Sequence, residues 1–259
     1  MTKGRIPFDA CPLCRHDDTP LLTTSACDWH QLYKPGLPPT INWLQCRACG
    51  HVFTDGYFDD EAMTLLLSDT NDSQIPGQQF EHARGVWAPT VARVAALVGS
   101  GSWLDVGFGD GALLFMAAEW GYDVTGIDVR PTTVDLMNRL GVASQCTDIM
   151  DLDINARFDV MSFFDVLEHI PYPGQVLERV HQLINPGGCL AVSMPNMDSQ
   201  AWRALDSEGI NPYWGEIEHY HNFTRARLVE LLGQYGFRFA GFDIPHRWRL
   251  GMEILAIRD

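Results

Sequence analysis

The 259-residue sequence predicts an α/β fold: a doubly wound, seven-stranded, mostly parallel sheet preceded by a small cysteine-bearing module. Three observations predict it. From Trp103 onward short β-rich runs alternate with helical pattern, the signature of a parallel sheet with crossover helices. The run LDVGFGDG, Leu104 to Gly111, leads from a buried-strand sequence into three glycines at alternate positions, as where a strand turns sharply into a helix. Two C-x-x-C pairs stand near the N-terminus in a segment with too little apolar sequence for a core of its own.

In chain order, residues 1–56 carry Cys11, Cys14, Cys46 and Cys49 among prolines, turns and short apolar pieces, the two pairs being separated by 31 residues. Four thiolates around one ion make a closed tetrahedral site, and such a site can fold a segment that lacks a core, so this region is expected to be a zinc-ribbon module. His16, Cys27, His30 and His51 are alternative ligands without the paired spacing. Residues 57–100 are expected to be a helical linker: in EHARGVWAPTVARVAALV, Val91, Val94, Ala95 and Val98 share a face, with Pro89 where a helix can begin.

The main domain, 101–259, offers seven strands: 103–108, 122–129, 142–149, 158–166, 189–196, 237–244 and 252–259. Helical stretches such as GALLFMAAEW and PGQVLERVHQLI fit between them, ended by Gly121 and by NPGG. Cys146 and Cys189 fall in strands and are expected to be inert core residues. One connection is long. Residues 197–222 are rich in aromatic and polar side chains, and a loop of that length is expected to be a lid or binding element.

The chain carries 33 Asp and Glu against 18 Lys and Arg, a net charge of −15, which repels a phosphate backbone and argues against a nucleic-acid partner. Residues 1–20 lack the apolar segment of a signal peptide, and no run approaches the roughly 18 apolar residues of a membrane span. Seven cysteines, four of them in C-x-x-C pairs, read as metal binding in a reducing compartment, so a cytoplasmic location is expected.

Gly107, Gly109 and Gly111 let the backbone approach a ligand closely, and the helix that follows aims its N-terminus at the same place. Asp128 ends the second strand 21 residues after Gly107, where a carboxylate accepts the hydroxyl protons of a ribose. A dinucleotide site would read G-x-G-x-x-G; here the spacing is G-x-G-x-G, flanked by Asp105 and Asp110. Carboxylates beside the turn are poor company for a pyrophosphate and suit the cationic sulfonium and ammonium of S-adenosylmethionine.

At this point the residues resemble the class I S-adenosylmethionine-dependent methyltransferases, over about 80–259. LDVGFGDG looks like the first motif, GIDV the second, TDI the third, FDVMSFFDVLEHI the fourth and LINPGGCLAVSMPN the fifth. The resemblance implies a Rossmann-like mixed sheet with its last strand antiparallel. It also implies that Asp128 binds the ribose hydroxyls, Asp148 the adenine amino group, Gly107 and Gly109 the methionine part, with Ile149 beside the adenine and Phe164 and Asp165 bordering the site. Phe108 stands where the family usually has Cys, a departure expected to change packing more than cofactor choice. The cysteine pairs narrow the resemblance to a bacterial subgroup that includes sugar and small-metabolite methyltransferases, to which EIEHYHNFTRARLVELLGQYGF is similar. A competing relative, the ribosomal-RNA guanine methyltransferase type with a zinc ribbon, has its cysteine pairs much closer together.

Methyl transfer from a sulfonium is an in-line displacement, so the protein mainly aligns the reactants and excludes water. A hydroxyl or carbon acceptor also loses a proton, and His169 in DVLEHI and His219 in EHYHNF are the candidate bases, with His221 more readily structural. Asp165, Glu168 and His169, at i, i+3 and i+4, are a candidate set for a second divalent metal, as some quinone-precursor O-methyltransferases look similar here. Trp202, Arg203, Tyr213 and Trp214 suit either a sugar-like acceptor or packing of the loop on its own domain, and Tyr57, Phe58, Phe80 and Arg84 are candidates for a second cleft wall. The reading that follows is methylation at oxygen or carbon of a small, sugar-like acceptor; the alternatives are rRNA base methylation and a non-catalytic cofactor-binding scaffold.

Overall fold

The computed structural model describes residues 4–66, 74–78, 80–247 and 250–259. The chain begins with strands β1 (Arg5–Pro7), β2 (Leu21–Ala26), β3 (Thr40–Gln45), β4 (Val52–Thr54) and β5 (Gly56–Phe58) and helix α1 (Asp60–Leu66). There follow α2 (Phe80–Leu97), β6 (Ser102–Val106), α3 (Ala112–Glu119), β7 (Asp123–Asp128), α4 (Pro131–Arg139), β8 (Ala143–Cys146), β9 (Phe158–Phe164), α5 (Pro173–Leu183) and β10 (Ile184–Pro195). The chain ends with α6 (Gln200–Ser207), β11 (His221–Asn222), α7 (Arg225–Gln234), β12 (Phe237–Asp243) and β13 (Gly251–Arg258). Two compact units result: Met1–Thr70 with Glu168–Pro173 and Pro195–Leu228, and Asn71–Leu167 with Gly174–Met194 and Val229–Asp259.

The larger unit holds the seven expected strands in one sheet of order β12-β13-β10-β9-β6-β7-β8. The pairs β6–β7, β7–β8, β6–β9 and β9–β10 are parallel, and β12 and β13 are antiparallel. Strand order reverses beside β6: the chain runs outward through β7 and β8, then returns to place β9 on the other side of β6. Such a switch point opens a crevice at the carboxyl ends of the two strands. Near-continuous apolar runs such as the Val160–Phe164 end of β9 are buried because helices cover the sheet.

Helix α2 begins at Phe80, so Pro89 lies inside it rather than at its start. The turn that loses a hydrogen bond at Pro89 is held by packing: Phe80 meets Phe115 at 4.5 Å between ring centroids, Trp87 meets Phe164 edge-on at 5.0 Å, and Val91 and Val94 are fully buried in the core. Residues 67–73 and 79 of the expected linker lie outside the described residues. Phe108 packs with Leu114, Val134, Met137 and Val142, and a Cβ on Gly126 would stand 2.5 Å from its ring. The departure from Cys is thus accommodated by a glycine on the neighbouring strand. Cys189 is buried as expected, whereas Cys146 is exposed, because it ends the edge strand β8.

The smaller unit is built on a four-stranded sheet of order β11-β4-β3-β2, with β1 and β5 forming a separate antiparallel pair. Its core gathers Cys27, Ile41, Trp43, Val52 and Phe58 with Ile217 and Tyr220. Residues of the expected lid therefore belong to this core, and β11 pairs antiparallel with β4. Trp202 is buried and stacks on Tyr213 at 5.1 Å, Trp214 meets Trp43 edge-on, and the Trp43 indole donates to the Trp214 carbonyl. Of the two roles left open for these aromatics, packing is the one they visibly perform.

Candidate functional site

The glycine turn follows β6 at the switch point. Gly107, Gly109 and Gly111 all have left-handed φ, 68°, 56° and 72°, a conformation costly for any residue with a Cβ. The three differ in surroundings. A Cβ on Gly107 would press on Val166 and one on Gly111 would strike Met137, while one on Gly109 would meet nothing within 4 Å. Gly107 and Gly111 thus serve the packing of the turn, and Gly109 presents bare backbone to open space.

Three carboxylates stand at or beside the turn, Asp105, Asp110 and Asp128, and a fourth, Asp148, follows β8. Asp105 is buried and accepts from Ser162 Oγ at 2.5 Å, and that hydroxyl in turn accepts from the Trp103 indole at 2.9 Å. Burial raises its pKa to about 7, against the pull of Ser162 and Arg247. Asp110 accepts from the Ala112 amide at 3.0 Å, and burial raises its pKa too. Asp128, at the end of β7, is held by Arg130: the Arg130 amide and Nε donate to Oδ1 at 2.9 Å each, and Nη2 donates to Oδ2 at 2.7 Å. Asp148 accepts the Met150 amide at 2.8 Å and starts the short turn that buries Ile149.

Beyond β9 the backbone reaches Asp165 at φ 55°, a strained value for a residue other than glycine and of the kind that concentrates at functional sites. Its amide donates to the Ser193 carbonyl at 2.9 Å, and its carboxylate accepts from Ser193 Oγ at 3.0 Å and from Arg247. The Arg247 guanidinium also lies 5.1 Å from the centroid of the Trp87 ring, and Trp87, Phe164, Ser193, His246 and Arg247 line a small cavity. Ser162, Ser193, Trp87, Arg130 and Arg247 were not legible as site residues. The one available signal was HRWR, a basic cluster between the last two strands of an acidic chain.

In the smaller unit the four predicted cysteines converge, with Cys11 and Cys49 Sγ 3.7 Å apart and Cys14 and Cys46 Sγ 3.5 Å apart. Those spacings match the edges of a thiolate tetrahedron around zinc, about 3.8 Å for Zn–S bonds of about 2.3 Å. The two C-x-x-C pairs sit in separate turns of the same construction. The amides of Cys11 and Cys46 donate to the carbonyls of His16 and His51, those of Arg15 and Gly50 donate back to Cys11 and Cys46, and Arg15 and Gly50 have φ of 63° and 69°. Burial pushes the Cys49 thiol up to about 11 and the Cys11 thiol higher still, whereas hydrogen bonds outweigh burial at Cys46 and lower its pKa. The four alternative ligands have other partners: His16 Nδ1 accepts from the Asp18 amide at 3.1 Å, Cys27 donates to the Pro38 carbonyl, His30 to Glu216 at 2.9 Å, and His51 meets His221 at 3.0 Å.

A second cluster in this unit joins Glu168, His169 and His219, whose ligating atoms lie within 4.8 Å of one another. Glu168 is fully buried with both carboxylate oxygens unpartnered, and burial raises its pKa to about 8. His169 Nδ1 donates to the Glu218 carbonyl at 3.0 Å, which leaves Nε2 as its basic nitrogen. His219 is buried, its Nδ1 unpartnered, and burial holds its pKa well below 6.5. His219 takes the place that the sequence offered to Asp165, whose carboxylate is bound by Ser193 and Arg247 instead. His221 Nε2 donates to the Ile170 carbonyl at 2.9 Å, a structural contact.

The fold and the glycine crevice define a class, and comparison with known proteins agrees. The methyltransferase-domain family profile matches residues 80–240, and the chain belongs to that family, the class I S-adenosylmethionine-dependent methyltransferases. A ubiquinone biosynthesis O-methyltransferase from Coxiella burnetii is 36% identical over 106 residues, 38% of this chain and 45% of that protein, so the chain spans about half the length of the curated relatives it matches. Among solved structures, a 1,6-didemethyltoxoflavin-N1-methyltransferase from Burkholderia thailandensis, with 1,6-didemethyltoxoflavin and S-adenosylhomocysteine bound, superposes with a TM-score of 0.57 at 22% identity, covering 83% of this chain and 98% of that one. A magnesium protoporphyrin IX methyltransferase from Synechocystis PCC 6803 gives 0.54 at 21% identity over 78% and 97%. At these identities the two structures share the fold.

Proposed function

We propose that the protein transfers a methyl group from S-adenosylmethionine to oxygen or carbon of a small, sugar-like acceptor. The observation that carries the cofactor is the open face of Gly109 beside buried Asp105: bare backbone with left-handed φ, next to carboxylates, fits a cationic amino-acid moiety. The cofactor supplies an electrophilic methyl group; the chain's residues hold and orient the reactants. Asp105 and the glycine turn take the methionine part, Asp128 the ribose, Asp148 the adenine amino group with Ile149 beside the ring, and Phe164 and Asp165 border the reacting end. His219 accepts the acceptor's proton, burial keeping it neutral, and His169, oriented by the Glu218 carbonyl, assists. Cys11, Cys14, Cys46 and Cys49 hold a structural zinc ion. The acidic balance supports a small acceptor over RNA.

A second reading of the histidine cluster rests on the two unpartnered oxygens of Glu168: Glu168, His169 and His219 together would ligate a divalent cation that acidifies an acceptor hydroxyl. Calorimetry and metal analysis test the whole reading. S-adenosylmethionine is expected to bind the wild type and to bind Asp128→Ala at least tenfold more weakly; no binding to either would remove the methyltransferase reading. Retained binding without label transfer to any metabolite pool would favour a scaffold. About one zinc per chain is expected, and a second equivalent lost in Glu168→Gln would establish the carboxylate–histidine metal site.

A further inference from the structure

The acidic turn presents an electrostatic problem. Asp105, Asp110 and Asp165 come from separate elements, the end of β6, the glycine turn and the residue after β9, and burial raises the pKa of the first two. Across the described residues of this unit one guanidinium addresses them. Arg247, between β12 and β13, pairs with Asp165, lies over the Trp87 ring at 5.1 Å, and acts electrostatically on Asp105 and Asp110. Neither Asp165 nor Trp87 moves freely: Ser193 binds the carboxylate and Trp87 is packed on Phe164.

We propose that Arg247 is the internal counterion of this cradle and a specificity-determining residue that sets the preference between the sulfonium cofactor and its neutral thioether product. The inference rests on the cofactor reading above. S-adenosylmethionine and Arg247 each bring a positive charge to the same carboxylates, so they repel each other or exchange places. S-adenosylhomocysteine keeps the ammonium and lacks the sulfonium charge. It therefore meets less opposition from the guanidinium, and Arg247 compresses the advantage that the acidic turn would otherwise give the cofactor. Trp87 and Ser193 act as positioning residues, holding the guanidinium and its carboxylate partner in line.

The test is isothermal titration of the full chain with S-adenosylmethionine, sinefungin (an ammonium in place of the sulfonium) and S-adenosylhomocysteine. Arg247→Leu and Arg247→Gln are expected to tighten both cationic ligands about tenfold relative to S-adenosylhomocysteine, and Arg247→Lys, which keeps the charge, to leave the ratio near that of the wild type. A purely structural role would weaken all three ligands together. If the wild type binds and both neutral variants leave the ratio within twofold, or lower it, the inference fails while the cofactor reading stands. If the wild type binds none of the three, both fall. Either neutral variant suffices should the other not fold.

Discussion

At Gly109 a side chain costs twice, in backbone conformation and in ligand space, and the two costs are separable. Gly109→Ala has no neighbour to strike, so its folding penalty is the left-handed φ alone, about 1 kcal/mol. Its methyl group projects where the ligand would approach. We expect a small fall in Tm with at least a tenfold loss of S-adenosylmethionine affinity, measured by thermal denaturation and calorimetry; a fall in Tm with unchanged affinity would mean that the open face is not the cradle. Gly107→Ala, pressed against Val166, should instead be mainly a stability variant. The roles of these glycines look identical in LDVGFGDG, because alternation along the chain specifies a turn and says nothing about which neighbour each Cα faces.

The two cysteine turns are built alike, yet one places Arg15 and the other Gly50 in the left-handed position. Gly50→Ala is expected to cost about 1 kcal/mol of module stability, and Arg15→Gly to recover part of the strain in its turn. Competition with a chromophoric chelator should therefore rank zinc retention as Arg15→Gly at or above wild type, then Gly50→Ala, with Cys11→Ser and Cys46→Ser far below. Zinc loss that is equal in Gly50→Ala and wild type would show that the backbone turn does not limit the site. The C-x-x-C spacing made the two cysteine turns legible, since each turn is local in sequence, and the fold brings their four sulfurs together. The aromatic loop was less legible. Trp202, Tyr213 and Trp214 have the composition of a sugar platform, and only long-range packing onto Trp43, with β11 beside β4, showed what their faces touch.

Across the molecule, buried ionisable groups couple stability to pH. Burial raises Glu168 from its ordinary 4.5 to about 8, so its stabilising contribution is complete below 4.5 and is lost as pH rises to 8, where the unfolded chain is already ionised and the native carboxyl still protonated. Asp105, raised to about 7, acts in the same sense up to that pH. His219, held well below 6.5, and His221, lowered to about 4, act oppositely: their contribution is present above 6.5 and lost as pH falls below it. Above pH 6.5 only the carboxyl limb remains. Denaturant titrations should show stability falling between pH 6.5 and 8, with about 2 kcal/mol of the loss belonging to Glu168 at about 1.4 kcal/mol per pH unit. Glu168→Gln should remove that share; an unchanged slope in the variant would mean that Glu168 ionises normally or is neutralised by a bound cation, which metal analysis would reveal.

What the sequence determined by itself was everything carried by short-range pattern: seven strands and their order of appearance, the glycine turn, the paired cysteines, the acidic residue that ends β7. These follow from backbone sterics, hydrophobic alternation and ligand spacing, which act over a few residues. Tertiary structure decided the rest. It chose His219 rather than Asp165 as the partner of Glu168 and His169, made room for Phe108 through Gly126, and brought Arg247 from the far end of the chain to the Asp165 carboxylate beyond β9. Each of these joins residues through the folded backbone, where burial and charge become properties of a place rather than of a residue.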